Sequence, residues 1–327
     1  MTTPPWIQAQ QAGLLQQPGH ALLLQGPSGL GQYTLALGLA QAWLCEQAGA
    51  AGACGQCASC HAIAVRTHAD LCVLMPETAM LALGWPLSEK AQGEIDDKKR
   101  KPSKEIRVDA MREAVEFSQR TSARGRGKVV LVYPAEHMNA ITANTLLKTL
   151  EEPPGDVRFI LASEAAHQLL PTIRSRCLGH TMAWPTPEQA LQWLEGEGVA
   201  GPDAAVLLRA AGGRPEDALR AAQSGRTARQ WSQLPKAVAR GDVAALADLP
   251  PAEALGALQK LCHDLLSVRA GAAPRFFLPA ELPPAPSATQ LAAWWRELSS
   301  ALRSAEHPFN PGLMLESLVS RARSALH

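Results

Sequence analysis

The chain has 327 residues, enough for two or three domains and an ample core. Lys and Arg number 31 against 30 Asp and Glu, which argues against a surface built throughout to grip nucleic acid but leaves room for a local basic patch. No run of about 18 or more apolar residues appears, so no membrane span is expected. The first residues, Met1-Thr-Thr-Pro-Pro-Trp-Ile-Gln, show no charged segment followed by an apolar stretch, so no secretory signal is expected either.

In chain order, the first predicted strand is Leu22-Leu-Leu24, in an apolar run starting at Ala21. It leads into Gly26-Pro-Ser-Gly-Leu-Gly-Gln-Tyr33, and Thr34 to Trp43 has helical periodicity. A phosphate-binding loop reads G-x-x-x-x-G-K-[ST] between a strand and a helix. The Gly26 to Gly31 spacing fits. The lysine position holds Gln32 and the hydroxyl position holds Tyr33. Without the ammonium the β- and γ-phosphates lose a counter-charge, and without the small hydroxyl a magnesium ion loses its ligand. The expectation is a nucleotide-binding frame that does not use nucleotide.

Cys45, Cys54, Cys57 and Cys60 follow, spaced C-x8-C-x2-C-x2-C. Seven cysteines, four of them clustered, fit a reducing cytoplasm and a metal site better than a disulfide framework. Four thiolates suit a tetrahedral structural Zn²⁺ with no open position for water. An iron–sulfur cluster is the competing reading, but that pattern wants a fourth cysteine soon after the third, where this chain has His61-Ala-Ile-Ala64. His61 or His68 could replace a cysteine, although four thiols already complete the set. Cys72 and Cys262 are read as small buried hydrophobes.

Further strands are predicted at Leu71 to Met75, Lys128 to Tyr133 and Arg158 to Ser163, with helices over Met111 to Thr121 and Ala143 to Glu152. Apolar strands alternating with helices indicate an α/β fold with a parallel sheet covered on both faces. Glu77 to Glu105 contains Asp96-Asp-Lys-Lys-Arg-Lys101 and reads as a solvated, partly disordered insertion, with a DNA-contacting arm as the alternative. A motor of this architecture needs acidic residues at the end of the strand after the loop. Here Lys128-Val-Val-Leu-Val132 runs into Tyr133-Pro134, and Glu136 lies too far along.

After His180 the texture changes. Trp184-Pro-Thr-Pro187 signals a helix start. Glu188 to Ser224 reads as a small helical domain with Gly212-Gly213 between two helices. Helices are then predicted over Ala228–Arg240, Ala252–Ala270, Thr289–Ser304 and Pro311–Leu326, with Asn310 as N-cap of the last and Pro279 to Pro286 as a linker.

Asn144-Thr-Leu-Leu-Lys-Thr-Leu-Glu-Glu-Pro-Pro154, Phe159-Ile-Leu-Ala-Ser163 and Thr172-Ile-Arg-Ser-Arg-Cys177 together resemble the bacterial clamp-loader subunits of the AAA+ class. The cysteine spacing resembles that of the motor and delta-prime subunits of DNA polymerase III, and the altered loop favours the delta-prime type. The resemblance is strong over about residues 1–182 and only architectural beyond. It implies a AAA+ (RecA-like) core with a zinc module over 1–182, a helical lid over 183–225 and a helical collar for oligomerisation over 226–327.

It further implies a non-catalytic subunit of a polymerase (nucleotidyltransferase) holoenzyme in the cytoplasm, with structural zinc and no bound ATP. The implied partners are motor subunits and the delta subunit in a ring, and through that ring the sliding clamp and primed DNA, with no membrane. Arg176 of the Ser175-Arg176-Cys177 motif is the implied arginine finger, reaching a neighbour's ATP. Arg174 is a nearby decoy, and a surface arginine capping a helix or pairing with a carboxylate is the plainer alternative. Glu216 stands where active relatives carry an arginine that contacts the γ-phosphate, and Arg214 lies before Pro215, off the helix. The alternatives in function are a motor-type ATPase, with Lys128 or Arg126 replacing the missing lysine, and a stand-alone zinc-dependent DNA-binding protein.

Overall fold

The computed structural model describes residues 3–50, 52–303 and 310–327. Met1 and Thr2 of the N-terminal reading, and Ser304 of a predicted helix, lie outside the described residues. The chain divides into two compact units, Met1–Pro185 and Thr186–His327.

The first unit is built on a five-stranded, wholly parallel sheet. Its strands are β1 (Ala21–Gln25), β2 (Leu71–Leu74), β3 (Lys128–Val132), β4 (Val157–Ser163) and β5 (Leu178–Thr181), in the order β2-β3-β4-β1-β5. Leu23 pairs with Leu161 on one side and Gly179 on the other, and Val130 pairs with Cys72 and Phe159. The three inner strands are apolar almost throughout because helices cover both faces of a parallel sheet. Each fully buried leucine there contributes about 1.5–3 kcal/mol relative to an exposed one.

The helices of this unit are α1 (Pro5–Leu15), α2 (Gln32–Leu44), α3 (Ala58–Ala64), α4 (Glu77–Ala82), α5 (Glu89–Asp96), α6 (Val108–Gln119), α7 (Ala140–Glu151) and the single turn α8 (Pro171–Arg174). The predicted strands and helices are present with ends shifted by a few residues. Strand β5 was not expected from the sequence. Leu-Gly-His-Thr has no apolar run, because three of its four residues are exposed on the sheet edge.

The insertion differs from expectation. Glu77 to Glu105 is ordered rather than partly disordered, and carries α4 and α5. Arg100 joins them: Nη2 donates to Glu77 Oε1 at 2.8 Å, and Nε to Glu94 Oε2 at 2.7 Å. Glu77 also accepts from the Ser103 backbone N–H at 2.8 Å. The Arg100 guanidinium holds the Glu77 carboxyl below its usual range, against burial.

The second unit is all helical: α9 (Pro187–Gly196), α10 (Gly201–Ala210), α11 (Pro215–Gln223), α12 (Ala228–Ala239), α13 (Pro251–Arg269), α14 (Ala288–Leu302) and α15 (Pro311–Leu326). Thr186, Thr227 and Ser287 close capping boxes with a glutamine at the third helical position, and Asn310 Oδ1 caps α15 as expected. One core cluster joins Leu255, Leu258, Leu261, Trp294 and Val319 from α13 to α15. Buried Asp264 accepts three backbone N–H bonds, from Arg275, Phe276 and Phe277, and so fixes the chain after α13. The 183–225 and 226–327 segments lie within one unit apart from the first three residues.

Candidate functional site

The glycine loop leaves β1 and enters α2 through Gly31, whose φ of +95° lies in the left-handed region that glycine tolerates. Gln32 begins the helix and is buried, at 2% exposure. Its Nε2 donates to Gly26 O at 2.9 Å and Pro27 O at 2.7 Å. The side chain at the lysine position is therefore turned back into the loop, saturating loop carbonyls instead of extending to an external anion.

Tyr33, at the hydroxyl position, stacks on Tyr133 at the end of β3, with ring centroids 5.3 Å apart. Its hydroxyl accepts from Trp85 Nε1 at 2.7 Å, and burial raises its pKa. Tyr133 Oη donates to Glu164 Oε1 at 2.8 Å. Glu136 accepts from the Glu164 backbone N–H at 3.0 Å. Lys128 opens β3, so it stands at the opposite strand end from Tyr133. It is buried there, 3.5 Å from Asp70 and over the Phe117 ring. Lys128 does not lie at the loop.

At the other end of α2, Cys45 is the C-cap residue, and Cys57 caps α3. The four Sγ atoms of Cys45, Cys54, Cys57 and Cys60 lie within 4.8 Å of one another, with Cys45–Cys57 at 3.8 Å and Cys54–Cys60 at 4.0 Å. Tetrahedral thiolates around an ion at about 2.3 Å would lie about 3.8 Å apart, so the donor set fits one small divalent cation.

Backbone N–H groups point at these sulfurs: Cys54 N to Cys45 at 3.3 Å, Cys57 N to Cys54 at 3.3 Å and Cys60 N to Cys57 at 3.4 Å. These bonds favour thiolate. The Cys60 N–H leads in lowering the Cys57 thiol to about 6, whereas burial pushes Cys60 up to about 12. A bound cation would offset that burial cost. Glu46 fastens the module, accepting from Ser59 N at 3.2 Å, Ser59 Oγ at 3.0 Å and Arg124 at 2.9 Å. His68 is not among the grouped ligands. Its Nδ1 accepts from Asp70 N at 3.0 Å. Cys262 is buried as expected, whereas Cys72 is only half-buried, and desolvation pushes both thiols up to about 12.

Arg176 lies just past α8 and is partly exposed. Its Nε donates to Glu151 Oε1 at 2.5 Å, Nη2 pairs with the same carboxylate, and Nη1 donates to Thr172 O at 2.9 Å. In the single chain it thus both caps a helical turn and pairs with a carboxylate. Arg174 closes α8 and is exposed. In the second unit, Glu216 is in the first turn of α11. Arg214 precedes that helix, with Nε on Ala211 O at 2.8 Å and Nη2 at 3.1 Å from Asp217.

The sequence reading missed Trp85 and Glu164 as neighbours of the loop. Trp85 was hidden inside a segment read by its charge, and Glu164 has no motif of its own. Among the described residues no helix is long and apolar enough to cross a membrane.

Comparison with known proteins gives the family. DNA polymerase III subunit delta' of Pseudomonas aeruginosa is 39% identical over 220 residues, covering 66% of this chain and 60% of that protein. The subunit of the same name from Escherichia coli is 34% identical over 221 residues, covering 66% and 59%. The chain thus matches about three-fifths of the length of these curated relatives. A solved DNA polymerase III gamma subunit-related protein from Thermotoga maritima is similar over 98% of this chain and 99% of its own, at 16% identity and a TM-score of 0.49. Residues 7–184, more than half of the chain, match the family model described as DNA polymerase III, delta subunit, and the chain belongs to that family.

Proposed function

We propose that the chain is a non-catalytic clamp-loader subunit of a cytoplasmic DNA polymerase III holoenzyme. It assembles with motor subunits and a delta subunit in a ring that places the sliding clamp on primed DNA. The observation that carries the non-catalytic reading is the pair of hydrogen bonds that Gln32 Nε2 donates to the Gly26 and Pro27 carbonyls. A loop whose key side chain is spent on its own backbone offers no ammonium to a phosphate. Tyr133, where a magnesium-binding carboxylate would stand, supports the same reading.

Arg176 is assigned as an arginine finger acting in trans. It stabilises phosphoryl-transfer charge on a neighbour's nucleotide after exchanging Glu151 for that ligand. Cys45, Cys54, Cys57 and Cys60 hold structural zinc, which orders the chain between α2 and β2. Residues 183–225 are assigned as lid and 226–327 as collar. A hydrophobic cluster made only of residues from 231 onward supports that division.

Titration of the purified chain with magnesium and ATP is expected to give no saturable binding. Micromolar binding with hydrolysis would establish a motor-type subunit instead. In a reconstituted ring, Arg176→Ala is expected to lower ATPase activity by about 10³-fold at the neighbour's site with assembly intact. An unchanged rate would remove the finger assignment.

A further inference from the structure

The insertion places one side chain against the loop, and its backbone is built to do so. Helix α4 ends in a left-handed turn at Gly84, φ +67°. Gly84 N bonds to Leu81 O at 3.2 Å and Trp85 N to Met80 O at 2.8 Å, the paired bonds of a Schellman ending. That ending sends the next residue back toward the protein, where Trp85 is buried at 7% exposure. Arg66 lies over its ring at 5.5 Å and donates to Gly84 O at 2.8 Å. The positive φ calls for glycine at 84; a Cβ there would also meet Arg66 Nη1 at 2.8 Å, which that flexible side chain could relieve by shifting. The indole N–H then reaches the Tyr33 hydroxyl, and Tyr33 stacks on Tyr133.

We propose that Trp85 is a nucleotide-excluding residue: the insertion uses it to pin Tyr33 against Tyr133, closing the gap between the glycine loop and the end of β3. Three aromatic side chains from three separated segments meet there. By position in the loop motif and on β3, two of them stand where a magnesium ion would find its hydroxyl and carboxylate partners. Exclusion is thus carried by a filled volume as well as by missing ligands. The Arg100 clasp between α4 and α5 holds the segment that delivers Trp85.

This inference rests on the reading of the chain as one that does not use nucleotide, and the experiment separates the two. Binding of the fluorescent nucleotide mant-ATP with magnesium is measured for the natural chain, for Gln32→Lys, which keeps Tyr33, and for Gln32→Lys with Trp85→Ala. The natural chain is expected not to bind, and the double variant to bind at least about tenfold more tightly than the single. Equal affinity of single and double variants, or no binding by either, would overturn the role of Trp85 and leave the non-nucleotide reading standing. Binding by the natural chain would overturn both. Should the loop variants fail to fold, Trp85→Ala in the natural chain is read by hydrogen exchange. Faster exchange at residues 32–35 and 133–136 supports the cover, and rates equal to the natural chain overturn it.

Discussion

Helix α2 begins at Gln32 beside the glycine loop and ends next to Cys45 of the cysteine cluster. At its first end, side chains satisfy one another: Gln32 bonds loop carbonyls, and Tyr33 meets Trp85 and Tyr133. At its last end, among the described residues, four sulfurs converge with backbone N–H groups and each other as partners. Buried polar groups need partners, and the two ends meet that need differently. One is complete without a guest. The other gathers four groups that repel when deprotonated and become stable together around a cation. The same helix teaches how to tell a filled site from a waiting one: count whether the polar atoms are already spent.

The comparison can be broken most decisively at the cysteine end. Cys57→Ser is expected to reduce bound zinc from one per chain to near zero and to destabilise the first unit by more than about 4 kcal/mol, read by metal analysis and thermal unfolding. Retained stability with zinc lost would show that this end, too, is complete on its own. At the loop end, Gln32→Ala leaves two carbonyls without their donor. A cost of about 1–3 kcal/mol is expected, with no gain of nucleotide binding. A neutral result would mean that water replaces the amide freely and the loop is not filled in an energetic sense.

The smallest effect is set by pH in the insertion. Arg100 holds the Glu77 carboxyl below its ordinary value of 4.5. The folded form's advantage is therefore full above about 4.5 and lost as pH falls through the lowered value. Amide protection in residues 77–105 should fall in that acid range, and Glu77→Gln should lessen the acid dependence, leaving the part carried by Glu94, which Arg100 also holds low. Unaltered exchange in the natural chain would separate the insertion's order from its Arg100 clasp.

Much of this was legible in the sequence because the signals are local. The inner strands read as apolar runs because both faces are covered, and the cysteines' spacing brought all four sulfurs together. The helix cap Asn310 announced itself by residue type, and Pro185 and Pro187 marked the start of α9. What stayed hidden depends on partners distant in the chain. β5 is an edge strand with no hydrophobic pattern, ordered by pairing with β1. The insertion was read from its Lys-rich run, while Arg100, near the end of that run, pairs with Glu77, 23 residues away. Trp85 was invisible as a functional residue because its partner Tyr33 lies 52 residues earlier. Arg176 was found by motif, but its pairing with Glu151 was not.

That pairing has a thermodynamic consequence for assembly. A free arginine side chain gives up roughly 2 kcal/mol of rotamer entropy when it is fixed. Arg176 is already held by Glu151 and the Thr172 carbonyl in the lone chain, so much of that ordering is in place before any neighbour arrives. On the proposed reading, docking would exchange one anion for another rather than immobilise a mobile side chain. The lone carboxylate of Glu151, left behind in water, would then be the term that sets how readily the finger lets go.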